Sequence, residues 1–170
     1  IAVLPTIWFR NTWNWGYENY KHKPTLTGVG KSHIEVNHKL VGHFNLYAEN
    51  AKELLFCDNK TNYEKLYKSP AQSPYAKDGI NDYIILNNQT SVNPEAVGTK
   101  AAVHYDDVIP AFGKKEYRLR FTNTIPVDAF EDFDAIFKKR IEEADEFYAP
   151  IQKEVKDEKL KSIQRQAYAG

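Results

Sequence analysis

Four aromatic residues within eight positions, Trp13, Trp15, Tyr17 and Tyr20, follow Arg10 and Asn11 and are broken by Gly16. Exposed indole and phenol rings present flat apolar faces with a polar handle, and such faces suit the C–H surface of a sugar ring. The same rings could instead anchor a long loop onto a sheet or pack against a neighbouring domain. Asp78 and Asp82 stand four apart, and Asp106 and Asp107 are adjacent. A glycosidase needs two carboxylates facing the sugar from separate elements, roughly 5 to 9.5 Å apart. Spacing in sequence does not establish that geometry, and turn aspartates are far commoner. His33, His38 and His43 recur at steps of five, which fits neither a helical pair nor a common zinc spacing, so they read as surface or loop histidines. No Gly-rich phosphate loop, GxSxG elbow or HExxH motif is present. Asn59-Lys60-Thr61 and Asn88-Gln89-Thr90 fit the glycosylation sequon, yet each reads first as an ordinary turn. Cys57, the sole cysteine, lies in an apolar run and reads as a buried, inert thiol.

The elements that must position these groups fall into two blocks. Phe130, Phe133, Phe137, Ile141, Ala144 and Tyr148 recur at steps of three and four. That periodicity predicts a helix over Asp128 to Ile151 with an apolar stripe, widened by Ile136 and Phe147. Asp128 with Glu131 reads as a capping box, and Pro150 as the stop. A second helix is expected from Asp157, with Leu160, Ile163 and Ala167 on one face. Before Asp128 the chain reads as short strands: Ile1 to Phe9 with Pro5 at an edge or bulge, His33 to Val36, Gly42 to Ala48, Glu53 to Cys57, Asp82 to Leu86, Gly98 to Tyr105 and Lys115 to Thr122. The 21–31 and 58–74 stretches read as loops. In the last strand Tyr117, Leu119 and Phe121 should point inward. In the strand at Gly98, Ala102 opposite Ala101 and Val103 implies close packing on both faces. Strands followed by helices predict an α+β chain, mainly an antiparallel β-sandwich over residues 1–127 with helices over 128–170.

Composition limits the function. The chain has 170 residues, 42% of them hydrophobic, which is enough for a real core. Lys plus Arg equals Asp plus Glu at 23 each, so there is no basic footprint for nucleic acid. No apolar run approaches the roughly 18 residues that cross a bilayer, so no membrane partner is expected. A lone cysteine excludes a disulfide-stapled scaffold and is no zinc site by itself. The chain opens on the apolar Ile1-Ala2-Val3-Leu4 and closes in a helical pattern, which reads as a fragment of a longer protein.

Six ordered segments together resemble one family. Leu4 to Gly16 reads LPTIWFRNTWNWG, similar to the family's LPTLWFRNTWSWG. Cys57 to Asn62 resembles its TENETN, and Tyr75 to Ile85, YAKDGINDYII, its YVKDAFHDYVI. Asn93-Pro94 with Gly98 to Tyr105, GTKAAVHY, is similar to NP…GTKAAAHY. Phe133 to Tyr148 matches FDAVFxxRxxEADxFY, and Arg165 to Gly170 resembles the start of RQALAGMLWSKQ. The family is the bacterial glucosidase and mannosylglycerate-hydrolase-like group of glycoside hydrolase family 63. The chain departs from it at Cys57-Asp58 and at Gly79-Ile80-Asn81.

The resemblance implies an N-terminal supersandwich-like β-domain, then linker helices, then a catalytic toroid of α/α hairpins that carries the acid and base of an inverting mechanism. No catalytic residue, metal ligand or cofactor is therefore expected in this chain. Its expected partners are its own C-terminal catalytic domain and an oligosaccharide. Arg10, Asn11, Trp13 and Trp15, then Lys77 and Asp78, are the residues expected to reach the sugar. The competing readings are a freestanding carbohydrate-binding module and a purely structural or interaction domain. A single cysteine and no visible signal segment point to the cytoplasm, with the periplasm as the alternative. The apolar stripe of the long helix should leave an exposed patch on the isolated chain.

Overall fold

A computed structural model describes residues 1–15 and 22–169, with Trp15 described by its backbone only. The chain is α+β, built on two antiparallel sheets, and divides into two compact units, Ile1–Val127 and Asp128–Gly170.

In the first unit, β1 (Ala2–Val3) and β2 (Thr6–Trp8) both pair with β8 (Lys100–Asp106), and β6 (Glu53–Cys57) pairs with the other side of β8. Pro5, which has no N–H to give a ladder, marks the break between β1 and β2. Its carbonyl still accepts from Val103 at 2.9 Å. The second sheet runs β7 (Val97–Gly98), β3 (Thr25–Val29), β4 (His33–His38), β5 (Gly42–Ala48), β9 (Leu119–Thr122).

Alternation along the strands sorts the core into two layers. Leu26, Ile34, Val36 and Ala48 of the second sheet meet Phe56, Ala101, Val103 and Tyr105 of the first, forming the sandwich interior. The opposite face of the first sheet offers Leu55, Cys57 and Ala102 to Ile80 and Val92, with Tyr83 and Ile84 alongside. These contacts bring α2 (Gly79–Leu86) onto that outer face. Strand β8 is thus covered on both sides, as the adjacent small residues Ala101 and Ala102, both fully buried, require.

Four expectations for the first unit need correcting. The Asp82 to Leu86 stretch is not a strand but part of a helix that starts at Gly79. Ile80, Tyr83 and Ile84 have helical spacing and face the sheet, while Ile85 and Leu86 are exposed. The stretch Ile84-Ile85-Leu86 imitates a strand, but Asn87 adopts a left-handed φ of 51° and closes a helix. The 21–31 stretch is not all loop, because it contains β3. Its Gly28 reads as a breaker but is needed where a Cβ would lie 3.0 Å from the Phe56 ring. Phe121 does not point inward. It is 54% exposed on the edge strand and stacks on Phe44 at 5.0 Å. Within the 58–74 excursion a short helix, α1 (Tyr63–Tyr67), forms under an Asn62 cap.

The second unit holds α3 (Phe133–Ile151) and α4 (Glu158–Ala169). The capping box at Asp128 does not form, because Asp128 Oδ1 accepts the Phe130 N–H at 2.8 Å in a local turn and the helix begins five residues later. Pro150 lies inside the last turn rather than ending it. Asp157 starts α4 by accepting from the Lys159 N–H at 2.7 Å. Arg165 joins the two helices, pairing with Asp145 at 2.7 Å and lying 4.7 Å over the Tyr148 ring. No residue of α3 is buried, and Ile136, Phe137, Ile141 and Phe147 are all exposed. Among the described residues, no helix is long and apolar enough to cross a membrane.

Candidate functional site

Strand β2 ends at Trp8, whose indole is 56% exposed, and the chain then turns through Asn11 into a single 3-10 turn, Trp13–Trp15. This loop is fixed to the one after β6 by two asparagines working in opposite directions. Asn11 Nδ2 donates to the Asn59 carbonyl at 2.9 Å, and Asn59 Nδ2 donates to the Phe9 carbonyl at 2.8 Å. The Asn59 N–H in turn donates to Thr99 Oγ1 at 2.7 Å. Asn59 thus ties the two loops together through its side-chain amide and its backbone carbonyl, and its backbone N–H holds it to Thr99. Asn88, in the other sequon, is exposed, and its Oδ1 accepts from Thr90 N at 3.2 Å in a turn.

The segment before α2 completes the site. The Lys77 N–H donates to the Lys60 carbonyl at 2.9 Å, and Lys100 Nζ donates to the Lys77 carbonyl at 2.9 Å, so Lys77 is held by its backbone at both ends. Trp8, Asn11, Asn14, Thr61, Tyr63 and Lys77 then surround an open cleft of about 470 Å³. That volume lies within the roughly 300–1,000 Å³ of small-molecule sites. Two aromatic rings, several amides, two hydroxyls and one ammonium can offer what a sugar needs: apolar contact for its C–H face and mixed donors and acceptors for its hydroxyls.

Of the six residues expected to reach a sugar, Asn11 and Lys77 therefore come together. Arg10 is exposed on the same loop but does not line the cleft. Trp13 is half-buried with its Nε1 turned inside without a partner. The Trp15 side chain, with Tyr17 and Tyr20, lies outside the described residues. Asp78 faces α1 instead. Its Oδ2 accepts from Lys65 Nζ at 3.1 Å and Asn62 Nδ2 at 3.2 Å, and Lys65 also pairs with Asp82 at 3.3 Å. Burial opposes the Asp78 carboxylate, but the donors from Lys65 and Asn62 outweigh it and hold the carboxyl below its usual range. Asp78 and Asp82 are thus bridged by a lysine and are not a free acid–base pair. Trp8, Asn14, Thr61 and Tyr63 were missed. Only the return of β6 beside β2, on either side of β8, brings their loops together.

The histidines do not converge on a metal. Among the described residues there is no group of three His, Cys, Asp or Glu able to hold one. His33 Nε2 lies 2.9 Å from Asn45 Oδ1, His43 pairs with Asn37, and His38 Nδ1 accepts from the Val41 N–H at 3.1 Å. Cys57 is fully buried, and burial pushes its thiol up to about 12.

These features define an α+β protein with an open polar–aromatic cleft at one end of a β-sandwich. No family model matches the chain, and no solved structure matches it. The chain is 32% identical, over 207 aligned residues, to the Saccharomyces cerevisiae protein named Uncharacterized protein YMR196W. The alignment takes in 100% of this chain and 19% of the yeast protein, so the chain spans about a fifth of the length of the curated relative it matches.

Proposed function

We propose that this chain is the non-catalytic N-terminal region of an inverting, α-glucosidase-like glycoside hydrolase. Its sandwich walls one side of the sugar site, and its helices brace an α/α catalytic domain. The observation that carries the reading is that Asn11 and Lys77, 66 positions apart in the sequence, meet in one cleft with the exposed rings of Trp8 and Tyr63. The six motif resemblances support it, and so does the far greater length of the yeast relative, of which the chain spans about a fifth. In this reading the acid and base belong to the catalytic domain, and the protein acts in the cytoplasm on an oligosaccharide.

The test is a saccharide titration of the protein followed by tryptophan fluorescence, repeated on Trp8→Phe and Lys77→Ala. A saturable change that Lys77→Ala weakens by about tenfold, the loss expected for one charged hydrogen bond, supports the reading. A signal indifferent to both substitutions would remove the cleft from the sugar site.

A second reading, a bracing domain with no sugar contact, is favoured by the exposed stripe of α3. It predicts no saccharide response at all, and full activity of the parent enzyme after Trp8→Ala.

A further inference from the structure

A second cleft, of about 490 Å³, opens on the far side of α2, lined by Lys52 and Glu53, by Tyr83, Asn87 and Gln89 from the helix, its cap and the turn that follows, and by His104 and Asp106 from β8. We propose that this cleft binds a neutral, polyhydroxylated ligand such as a sugar or polyol, at a site separate from the Trp8–Lys77 cleft.

The argument begins with register. Glu53 and His104 sit directly opposite one another on β6 and β8, on the face that α2 covers. His104 donates through Nδ1 to Glu53 Oε1 at 2.8 Å, and Tyr83 OH donates to Glu53 Oε2 at 2.8 Å. The His104 side chain is only 5% exposed, whereas Glu53 keeps 32%. A histidine at this depth on the central strand is costly unless hydrogen-bonded, and the Glu53 contact supplies that bond. Here a cleft of small-molecule size remains, with His104 in its lining.

The lining then selects the ligand by exclusion. Lys52 Nζ donates to Asp106 Oδ2 at 2.9 Å, so the cationic head is already neutralised by a carboxylate. An anion would meet Glu53 and Asp106 against that single paired ammonium and be repelled. A bound metal ion would need converging ligands, and among the described residues no such group of three exists. An apolar ligand would strip water from these polar groups without replacing its hydrogen bonds, and each buried donor or acceptor left unpaired disfavours binding. A hydroxyl group donates and accepts at once. It can donate to the remaining lone pairs of Glu53 and Asp106 and accept from Lys52 and the amides of Asn87 and Gln89.

The test is an NMR titration of the ¹⁵N-labelled protein with maltotriose and with glycerol, and separately with inorganic phosphate. The expected result is saturable shifts at Lys52, Glu53, Gln89 and the His104 ring with maltotriose or glycerol. Lys52→Ala and Gln89→Ala, both at exposed side chains, should weaken binding by about tenfold without lowering the thermal midpoint. Lys77→Ala should leave these shifts intact, so the two clefts succeed or fail separately. Absence of shifts at these residues with both hydroxylated probes overturns the proposal. So does a response to phosphate alone, or binding unchanged by both substitutions.

Discussion

Glu53 shows how one side chain ties two layers together. Its carboxylate accepts from a strand histidine and a helix tyrosine, and it lies beside Lys52. Burial alone would raise its pKa, but the hydrogen bonds from His104 and Tyr83 outweigh burial and hold it below its ordinary value of 4.5. A carboxyl depressed in the fold contributes stability above its unfolded pKa and loses it as pH falls through the folded value. Tyr83→Phe removes one of the depressing bonds. It should cost about 1 kcal/mol near neutral pH, and the difference from the parent should shrink as pH falls through the Glu53 value, because a protonated carboxyl keeps only a weaker, neutral hydrogen bond to Tyr83. Denaturant melts of both proteins across that acid range check the sign, and a deficit constant with pH would mean the hydroxyl acts elsewhere. Cys57 gives a second prediction at this scale. With its thiol buried and pushed up to about 12, it should resist a thiol-labelling reagent in the native protein and react at once in denaturant. Fast native labelling would mean that α2 lifts from the sheet. Sequence placed Cys57 correctly, because a lone cysteine in an apolar run has few other homes. It did not reveal the Glu53–His104 pair, since the two are 51 positions apart and meet only through strand register.

The same division appears one level up, among the elements. Strands β5 and β6 were legible to the residue, β5 because alternation and flanking turns agree there, β6 because a short apolar run is bounded by turn residues. Helix α2 was not, because a run of branched apolar residues favours strand locally while the spacing of Ile80, Tyr83 and Ile84 favours helix. The open outer face of the first sheet settles the conflict by burying those three. Strand β3 was hidden by Pro24, Gly28 and Gly30, although Leu26 within it is fully buried. Helix α3 was legible as a periodic stripe, but its start was not, because a side-chain turn at Asp128 competes with the cap. The stripe has a testable consequence. Phe137 and Ile141 are 56% and 59% exposed. Replacing both with Ser should therefore change the melting midpoint little, unlike a core truncation costing about 2–5 kcal/mol. The double variant should also bind less of a hydrophobic dye and associate less at high concentration, as analytical ultracentrifugation would report. A large loss of stability would mean that the face is buried within the chain itself.

At the scale of the whole molecule, the two units differ in how far each buries its own apolar surface. The 1–127 unit has a closed sandwich interior and a second apolar layer under α2, so its burial is self-sufficient. The 128–170 unit is a helical pair in which only Gln152 is buried among the described residues, so its apolar surface is not satisfied internally. Helices held by so few interior contacts are marginal in water, because most helical stability in proteins comes from packing an amphipathic face. Residues 1–127 expressed alone should therefore unfold in one cooperative transition with a midpoint close to that of the 170-residue chain. Residues 128–170 alone should show weak helicity that rises with concentration. Circular dichroism of the two pieces distinguishes this from the alternative, in which the sandwich fails to fold without the helices. That failure would make the helical unit a strut of the sandwich and remove the ground for giving it to a catalytic domain. Cooperative folding of 1–127 alone would leave the stripe of α3 free for the proposed catalytic domain, as the sugar-site reading requires.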